Sequence, residues 1–116
     1  MPDVTIYHNP RCRTSRTTLE LIRKKGIEPK VIEYLKTPPS VKELDNILKL
    51  LSMEPRELMR TKEPEYAKYK LDNPKLTRTD LIAAMVEHPI LIQRPIVLSK
   101  GKAALGRPPE NVEKIL

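Results

Sequence analysis

Residues 4–35 read VTIYHNPRCRTSRTTLELIRKKGIEPKVIEYL, and this stretch decides the fold. Val4 and Ile6 alternate with polar neighbours, a pattern that predicts a short strand. Helical spacing begins at Thr14, and a second apolar run over residues 30–35 predicts another strand. Strand, helix and strand in this order predict a βαβ unit with parallel pairing and a right-handed crossover.

An all-helical segment over about residues 40–88 is predicted to follow the second strand. Ser40 with Glu43, and Thr77 with Asp80, have the spacing of capping boxes, which mark the first turn of a helix. Apolar residues recur at helical spacing after both boxes, so the two longest helices of the segment are expected to start there.

Proline marks two shorter helices between those capping boxes. Pro55 is expected to open one that carries Leu58, Met59 and Arg60, and Pro64 is expected to open another.

The last part of the chain returns to strands. Residues 96–98 and 103–105 are apolar runs joined by a short turn containing glycine, which predicts a β-hairpin. Pro108 and Pro109 are expected to begin a final helix. The complete order, β-α-β, helices, β-β-α, predicts an α/β fold with one mixed sheet, and a length of 116 residues predicts a single domain over residues 1–116.

The composition is that of a globular, basic protein. Lys and Arg number 22 against 15 Asp and Glu, giving a net charge of +7. Aromatic residues make up only 3%, which leaves few rings to stack on bases, so no nucleic-acid partner is expected. No apolar run approaches the roughly 20 residues that a membrane-spanning helix needs, and the first residues lack the pattern of a secretory signal. We therefore expect a cytoplasmic monomer without a membrane partner. Its basic residues are interpreted first as an ordinary solvated surface, and second as a surface that collects small anions.

Cys12 is the only cysteine in the chain. An intramolecular disulfide and a zinc site built on cysteine pairs are therefore excluded. His8, Cys12 and His88 lack metal-ligand spacing, so no metal site is predicted. A lone cysteine is commonly a small buried apolar residue, but this one lies in a polar, arginine-rich loop bounded by proline.

The position of Cys12 predicts a reactive thiolate. It lies between the first strand and the first helix, where unpaired backbone N–H groups and the helix dipole favour an anion. The nearby cations are Arg11, Arg13 and Arg16. These features predict a pKa of Cys12 below that of a free thiol. His8, Ser15 and Arg16 are the candidate groups that activate the thiolate, by charge or by hydrogen bonding.

Two common kinds of cysteine site do not fit the spacing. A Cys-x-x-Cys redox pair would need a second cysteine at the position of Ser15. A phosphatase-type loop would need an arginine at the position of Thr18.

Five separated segments resemble the glutaredoxin-coupled arsenate reductase (ArsC) family. They are HNPRCRTSR at 8–16, YLKTPP at 34–39, ELMR at 57–60, HPILIQRPIV at 88–97 and GRPP at 106–109. They occur in the expected order over essentially the whole chain. The resemblance implies a thioredoxin-like fold with a helical insertion, and the reduction of arsenate to arsenite.

The resemblance also implies roles for particular residues. Cys12 would be the catalytic nucleophile, and Arg60, Arg94 and Arg107 would bind the arsenate oxyanion. The bond between Arg94 and Pro95 would be the family's cis-proline junction. Glutathione would be the co-substrate, glutaredoxin the protein partner, and no cofactor would be bound.

Two alternatives of the same fold stay open at this stage. One is a glutathione-dependent thiol oxidoreductase that acts on another substrate. The other is a redox-linked regulator that binds RNA polymerase, although such regulators often carry the Cys-x-x-Cys pair that Ser15 excludes. Because the chain has one cysteine, any disulfide that this protein forms, as an arsenate reductase or as another thiol oxidoreductase, must be intermolecular.

Overall fold

The structure is a computed structural model that describes residues 4–116. The spatial proximity of their Cα atoms divides these residues into two compact units. The first unit consists of residues 4–37 and Arg94–Leu116, and the second is Pro38–Gln93. The single domain expected from the chain length stays a prediction.

The first unit contains the predicted mixed sheet. Its elements are β1 (Val4–His8), α1 (Arg13–Lys24), β2 (Lys30–Glu33), β3 (Ile96–Ser99), β4 (Lys102–Leu105) and a terminal 3₁₀ helix (Pro109–Ile115). The strand order is β2-β1-β3-β4. β1 and β2 pair in parallel, as expected of a βαβ unit, whereas β3 pairs antiparallel with both β1 and β4. The predicted order β-α-β followed by β-β-α is confirmed.

Strand register determines what surrounds the loop after β1. At the carboxyl end of β1, His8 is paired with Glu33 on one side, and the preceding Tyr7 is paired with Ile96 on the other. The loop that carries Cys12 therefore leaves the sheet between the end of β2 and the start of β3.

The core of this unit lies between α1, the sheet and the terminal 3₁₀ helix. Its buried residues are Val4, Ile6, Leu19, Ile22, Val97, Val112 and Ile115. Leu19 and Ile22 lie three positions apart and so share one face of α1. Each large apolar side chain buried here stabilises the unit by about 1.5–3 kcal/mol, and this burial holds α1 against the sheet.

The second unit is helical. It contains α2 (Val41–Leu51), α3 (Pro55–Leu58), α4 (Pro64–Lys68), α5 (Arg78–Glu87) and a 3₁₀ turn (Pro89–Leu91). Both predicted capping boxes are confirmed: Ser40 Oγ accepts from the Glu43 N–H at 3.1 Å, and Thr77 Oγ1 accepts from the Asp80 N–H at 3.2 Å. No helix within residues 4–116 is long and apolar enough to cross a bilayer.

Two boundaries predicted from local pattern were wrong. α3 ends at Leu58, because Met59 is extended and forms a bridge with Ile92, while the Arg60 N–H donates to the Leu91 carbonyl at 2.7 Å. These hydrogen bonds reach residues distant in sequence, so local helical spacing did not reveal them.

The second wrong boundary is the end of β2. The predicted strand over residues 30–35 stops at Glu33, whose carbonyl accepts from the N–H groups of Lys36 and Thr37 at 2.9 and 3.0 Å and so closes a turn.

Gly106 lies where β4 ends close to α1 and Pro95. Its N–H donates to the Pro95 carbonyl at 2.9 Å. A Cβ at position 106 would lie 2.8 Å from both Pro95 Cγ and Thr18 Oγ1. Glycine is therefore required here by close approach of neighbouring atoms.

Gly106→Ala should lower the free energy of unfolding by about 1–3 kcal/mol, the usual cost of overpacking a filled site. Urea unfolding would measure it. The substitution Thr18→Ala removes one of the two close contacts. In that background, Gly106→Ala should therefore lower the free energy of unfolding by a smaller amount. Equal costs in both backgrounds would contradict the proposed clash.

Candidate active site

Cys12 is the N-cap residue of α1. Its backbone is extended, with φ −93° and ψ 121°. Its N–H donates to the Asn9 carbonyl, and its own carbonyl accepts from the Arg16 N–H, both at 3.0 Å. The first turn of α1 contains no acidic residue, and the thiol is half-buried. The predicted placement of Cys12 at a helix amino terminus is confirmed.

The surroundings of Cys12 favour its thiolate. Burial is the strongest single influence and raises the pKa of Cys12, but a hydrogen bond from the Ser15 backbone N–H and the charge and hydrogen bond of Arg94 oppose it. Arg107 adds a further hydrogen bond. Together the donors outweigh burial, so the pKa of Cys12 is lowered from its ordinary value.

Arg94 carries buried hydrogen-bond donors that no residue uses. Its Nε and Nη1 atoms are buried and lack a hydrogen-bond partner within residues 4–116. Arg107 lies beside it, with Nη1 donating to the Arg94 carbonyl at 2.9 Å. Because buried donors are nearly always satisfied in proteins, two unsatisfied guanidinium nitrogens next to Cys12 indicate a place for an anion.

Peptide geometry at these two arginines is unusual. The bond from Arg94 to Pro95 is cis, as the family resemblance predicts. The bond from Arg107 to Pro108 is also cis, which the sequence analysis did not anticipate.

His8, Asn9 and Ser15 form a buried hydrogen-bonded cluster under the loop. His8 Nδ1 lies 2.6 Å from Ser15 Oγ, and the same oxygen accepts from the Asn9 N–H at 3.1 Å. The Asn9 carboxamide accepts in turn from the Arg11 N–H at 3.0 Å. The cluster ties the first turn of α1 to the end of β1, and thereby fixes the Ser15 N–H that faces the sulfur.

The surroundings of His8 favour its neutral form. Burial lowers the pKa of His8 most strongly; Glu33 opposes the effect, and the charges of Arg23 and Arg16 add to it. A neutral ring supplies no positive charge to the thiolate. The position of His8 therefore supports a contribution through its hydrogen bond to Ser15.

Arg16 and Arg60 make other contacts. Arg16 Nη1 donates to the Pro10 carbonyl at 2.9 Å and so closes the loop after β1. Arg60 belongs to the second unit, where its Nη2 lies 3.2 Å from Glu63 Oε1 and its Nε is buried without a hydrogen-bond partner among the described residues. Thiolate activation by Arg16 and oxyanion binding by Arg60 stay predictions.

Asn9 is a site residue that the sequence analysis missed. Its side-chain oxygen accepts from the N–H two residues ahead, and its carbonyl accepts from the Cys12 N–H. An asparagine immediately after a strand and before a proline is a recognisable turn signal, and it could have identified this residue. Within residues 4–116 no cluster of three or more potential metal ligands occurs.

Comparison with known proteins assigns the family. The model of the ArsC family matches residues 7–115. This chain belongs to the ArsC family. An arsenate reductase of Neisseria meningitidis serogroup A is 47% identical to this ArsC protein, with both chains covered completely. YfgD of Escherichia coli, described as uncharacterized, is 50% identical, covering 97% of this chain and 96% of its own.

A solved structure agrees with the fold of this ArsC protein. The arsenate reductase from Vibrio cholerae superposes with a TM-score of 0.95 at 51% identity, and 97% of each chain is covered. The fold is thus the thioredoxin-like one that the resemblance predicted. In this framework the Cys12 thiol has a lowered pKa and lies beside Arg94, whose buried Nε and Nη1 lack a hydrogen-bond partner among the described residues.

Arg94→Gln should raise the pKa of Cys12, because the thiolate loses a cation and a hydrogen-bond donor. The rate of iodoacetamide alkylation, followed against pH, would then reach half its maximum at a higher pH than in the wild type. Lys24→Gln removes an equal charge from the exposed last turn of α1 and should leave the profile unchanged. Identical profiles for both variants would contradict the role of Arg94.

The neutral His8 predicts a pH-dependent stability. Its pKa in the folded state is below the unfolded value of about 6.5, so the unfolded chain binds the proton more readily. The free energy of unfolding should therefore fall as the pH drops below about 6.5. Urea unfolding at several pH values should show a smaller decrease in His8→Asn than in the wild type, and equal decreases would refute the assignment.

Proposed function

We propose that this ArsC-family protein reduces arsenate to arsenite, with Cys12 as nucleophile and glutathione as reductant. The observation that carries the proposal is the combination at Cys12: a thiol of lowered pKa beside the buried, unsatisfied Nε and Nη1 of Arg94. The arsenate reductase names of full-length relatives at 47–48% identity support the same substrate.

Arsenate suits these donors. It is a tetrahedral oxyanion, and a planar guanidinium can bind two of its oxygens at once. Arg94 presents two buried nitrogens, and the exposed Arg107 lies beside it. Arg60 of the second unit would supply a third guanidinium, as the family resemblance implies. Cationic donors would stabilise the negative charge on the arsenate oxygens while sulfur approaches arsenic.

In the first step, the Cys12 thiolate attacks arsenic. A sulfur–arsenic bond forms, and an arsenate oxygen leaves as water after taking up protons. The product is a covalent adduct in which arsenic is still pentavalent. Ser15 would keep the sulfur ionised through its backbone N–H, with His8 positioning Ser15 and Arg16 contributing positive charge.

In the second step, a glutathione thiolate attacks the Cys12 sulfur. A sulfur–sulfur bond forms and the sulfur–arsenic bond breaks, with its electron pair passing to arsenic. Arsenic is thereby reduced from the pentavalent to the trivalent state and leaves as arsenite, while the two thiols are oxidised to a mixed disulfide. The chain has no second cysteine to resolve the adduct, so the attacking thiol comes from another molecule. Glutaredoxin would then remove the glutathione and restore Cys12.

Cys12→Ser should reduce arsenate turnover to background, because serine has no ionised nucleophile at neutral pH. Arg94→Ala should lower kcat/KM for arsenate by on the order of tenfold to a hundredfold, the loss expected for charge-assisted hydrogen bonds. Both are measured by arsenite production with glutathione and glutaredoxin, with Lys24→Gln as the control for removing one charge. Measurable turnover by Cys12→Ser would rule the mechanism out.

A further inference from the structure

A charged cleft of about 330 Å³ opens beside the Cys12 loop, on the β2 side of the sheet. Its lining residues are His8, Asn9, Pro10, Arg11, Glu33, Leu35 and Lys36. All of them belong to the first unit. Of these residues, His8 and Asn9 belong to the buried cluster under the loop, whereas the charged groups of Arg11, Glu33 and Lys36 have no role in the proposed reaction.

The oxyanion donors lie on the other side of the loop. Arg94 comes two residues before β3, and Arg107 comes two residues after β4. Both strands follow β1 on the side opposite β2 in the order β2-β1-β3-β4. The sheet thus puts the anion donors on the β3 flank of the Cys12 loop and the charged cleft on its β2 flank.

The second step needs this separation. When a thiolate displaces a group from sulfur, attacking and leaving groups lie in line on opposite sides of that sulfur. Arsenic bound by Arg94 and Arg107 would lie on the β3 flank of the Cys12 loop. An incoming thiol would then approach from the opposite flank, where the cleft borders the loop residues that precede Cys12.

The charges of the cleft match those of glutathione. Glutathione carries two carboxylates and one ammonium group, whereas the cleft carries two cations, Arg11 and Lys36, and one anion, Glu33. The ion pair between Lys36 Nζ and Glu33 Oε1 is 3.5 Å long and its side chains are 79% and 44% exposed. Such a pair contributes little stability, so both groups can exchange partners at small cost. No carboxylate within residues 4–116 pairs with the Arg11 guanidinium.

We propose that this cleft is the glutathione site, an inference that rests on the proposed function. Arg11 and Lys36 bind the two carboxylates of the tripeptide, and Glu33 binds its ammonium group. The tripeptide thiol, having lost its proton to water, is directed toward Cys12 from the side opposite arsenic. Bond changes and electron transfer are those of the second step above.

Binding can be located without any turnover. S-methylglutathione keeps all three charges of glutathione but has no thiol, so it does not react with Cys12. Titrated into the ¹⁵N-labelled protein, it should shift the backbone amide signals of residues 8–11 (except Pro10) and 33–36. Shifts confined to residues around Arg94 and Arg107 would overturn the proposal.

Charge variants then test the assigned contacts. Arg11→Gln and Lys36→Gln should each weaken S-methylglutathione binding by about fivefold, as expected for one partly exposed ion pair. Both should raise KM for glutathione while leaving KM for arsenate unchanged. Lys24→Gln, the matched control on α1, should change neither. Equal affinities for S-methylglutathione and equal KM values for glutathione in the three variants would overturn the proposal.

Glu33→Gln separates a specific site from general attraction of an anion. S-methylglutathione has a net charge of −1, so removal of a negative charge should tighten binding if only the overall field matters. If Glu33 binds the ammonium group, the same substitution should weaken binding, and tighter binding would overturn the proposal.

The two proposals can fail separately. Binding in the cleft without arsenate turnover would support the glutathione site and refute the reductase. Arsenate turnover with an unchanged KM for glutathione in Arg11→Gln and Lys36→Gln would support the reductase and refute the glutathione site.

Discussion

The ionisation of one half-buried sulfur is the constraint on which the site depends. Burial alone would raise the pKa of Cys12, and the donors that face the sulfur outweigh burial and lower it. One donor is the Ser15 backbone N–H at the start of α1, and the others are guanidinium groups of Arg94 and Arg107. A helix terminus and two distant arginines must therefore meet at one atom, which explains why so much of the first unit is devoted to holding the Cys12 loop in place.

Sheet topology brings those groups together. Since β3 runs antiparallel to β1, the start of β3 lies beside the end of β1, and Arg94 arrives next to the loop that β1 feeds. Gly106, which permits close packing against Pro95 and Thr18, brings the end of β4 to the same place. The same arrangement leaves the end of β2, with its charged cleft, on the other flank of the loop.

The buried cluster of His8, Asn9 and Ser15 connects stability to chemistry. Its hydrogen bonds hold the first turn of α1 in place beneath the loop, so the donors that face the sulfur are fixed in advance. A neutral histidine suits this purpose, because a second buried positive charge would compete with the arginines and add a desolvation cost. Precise placement of the Ser15 N–H is the contribution that this cluster makes to the site.

Features that depend on neighbouring residues could be predicted without the structure: the βαβ unit, the two capping boxes, the hairpin, and a cysteine at a helix amino terminus. Periodicity and capping are local properties, so they could be predicted from residues a few positions apart. Arg94 and Arg107 were predicted only through the family resemblance, because their proximity to Cys12 arises from strand pairing.

Tertiary structure alone decided the rest. It ended α3 at Leu58 through the bridge between Met59 and Ile92, lowered the pKa of His8 through burial, and left two Arg94 nitrogens buried without partners among residues 4–116. The physical reason is common to all three: burial and long-range hydrogen bonds exist only once distant segments have packed together.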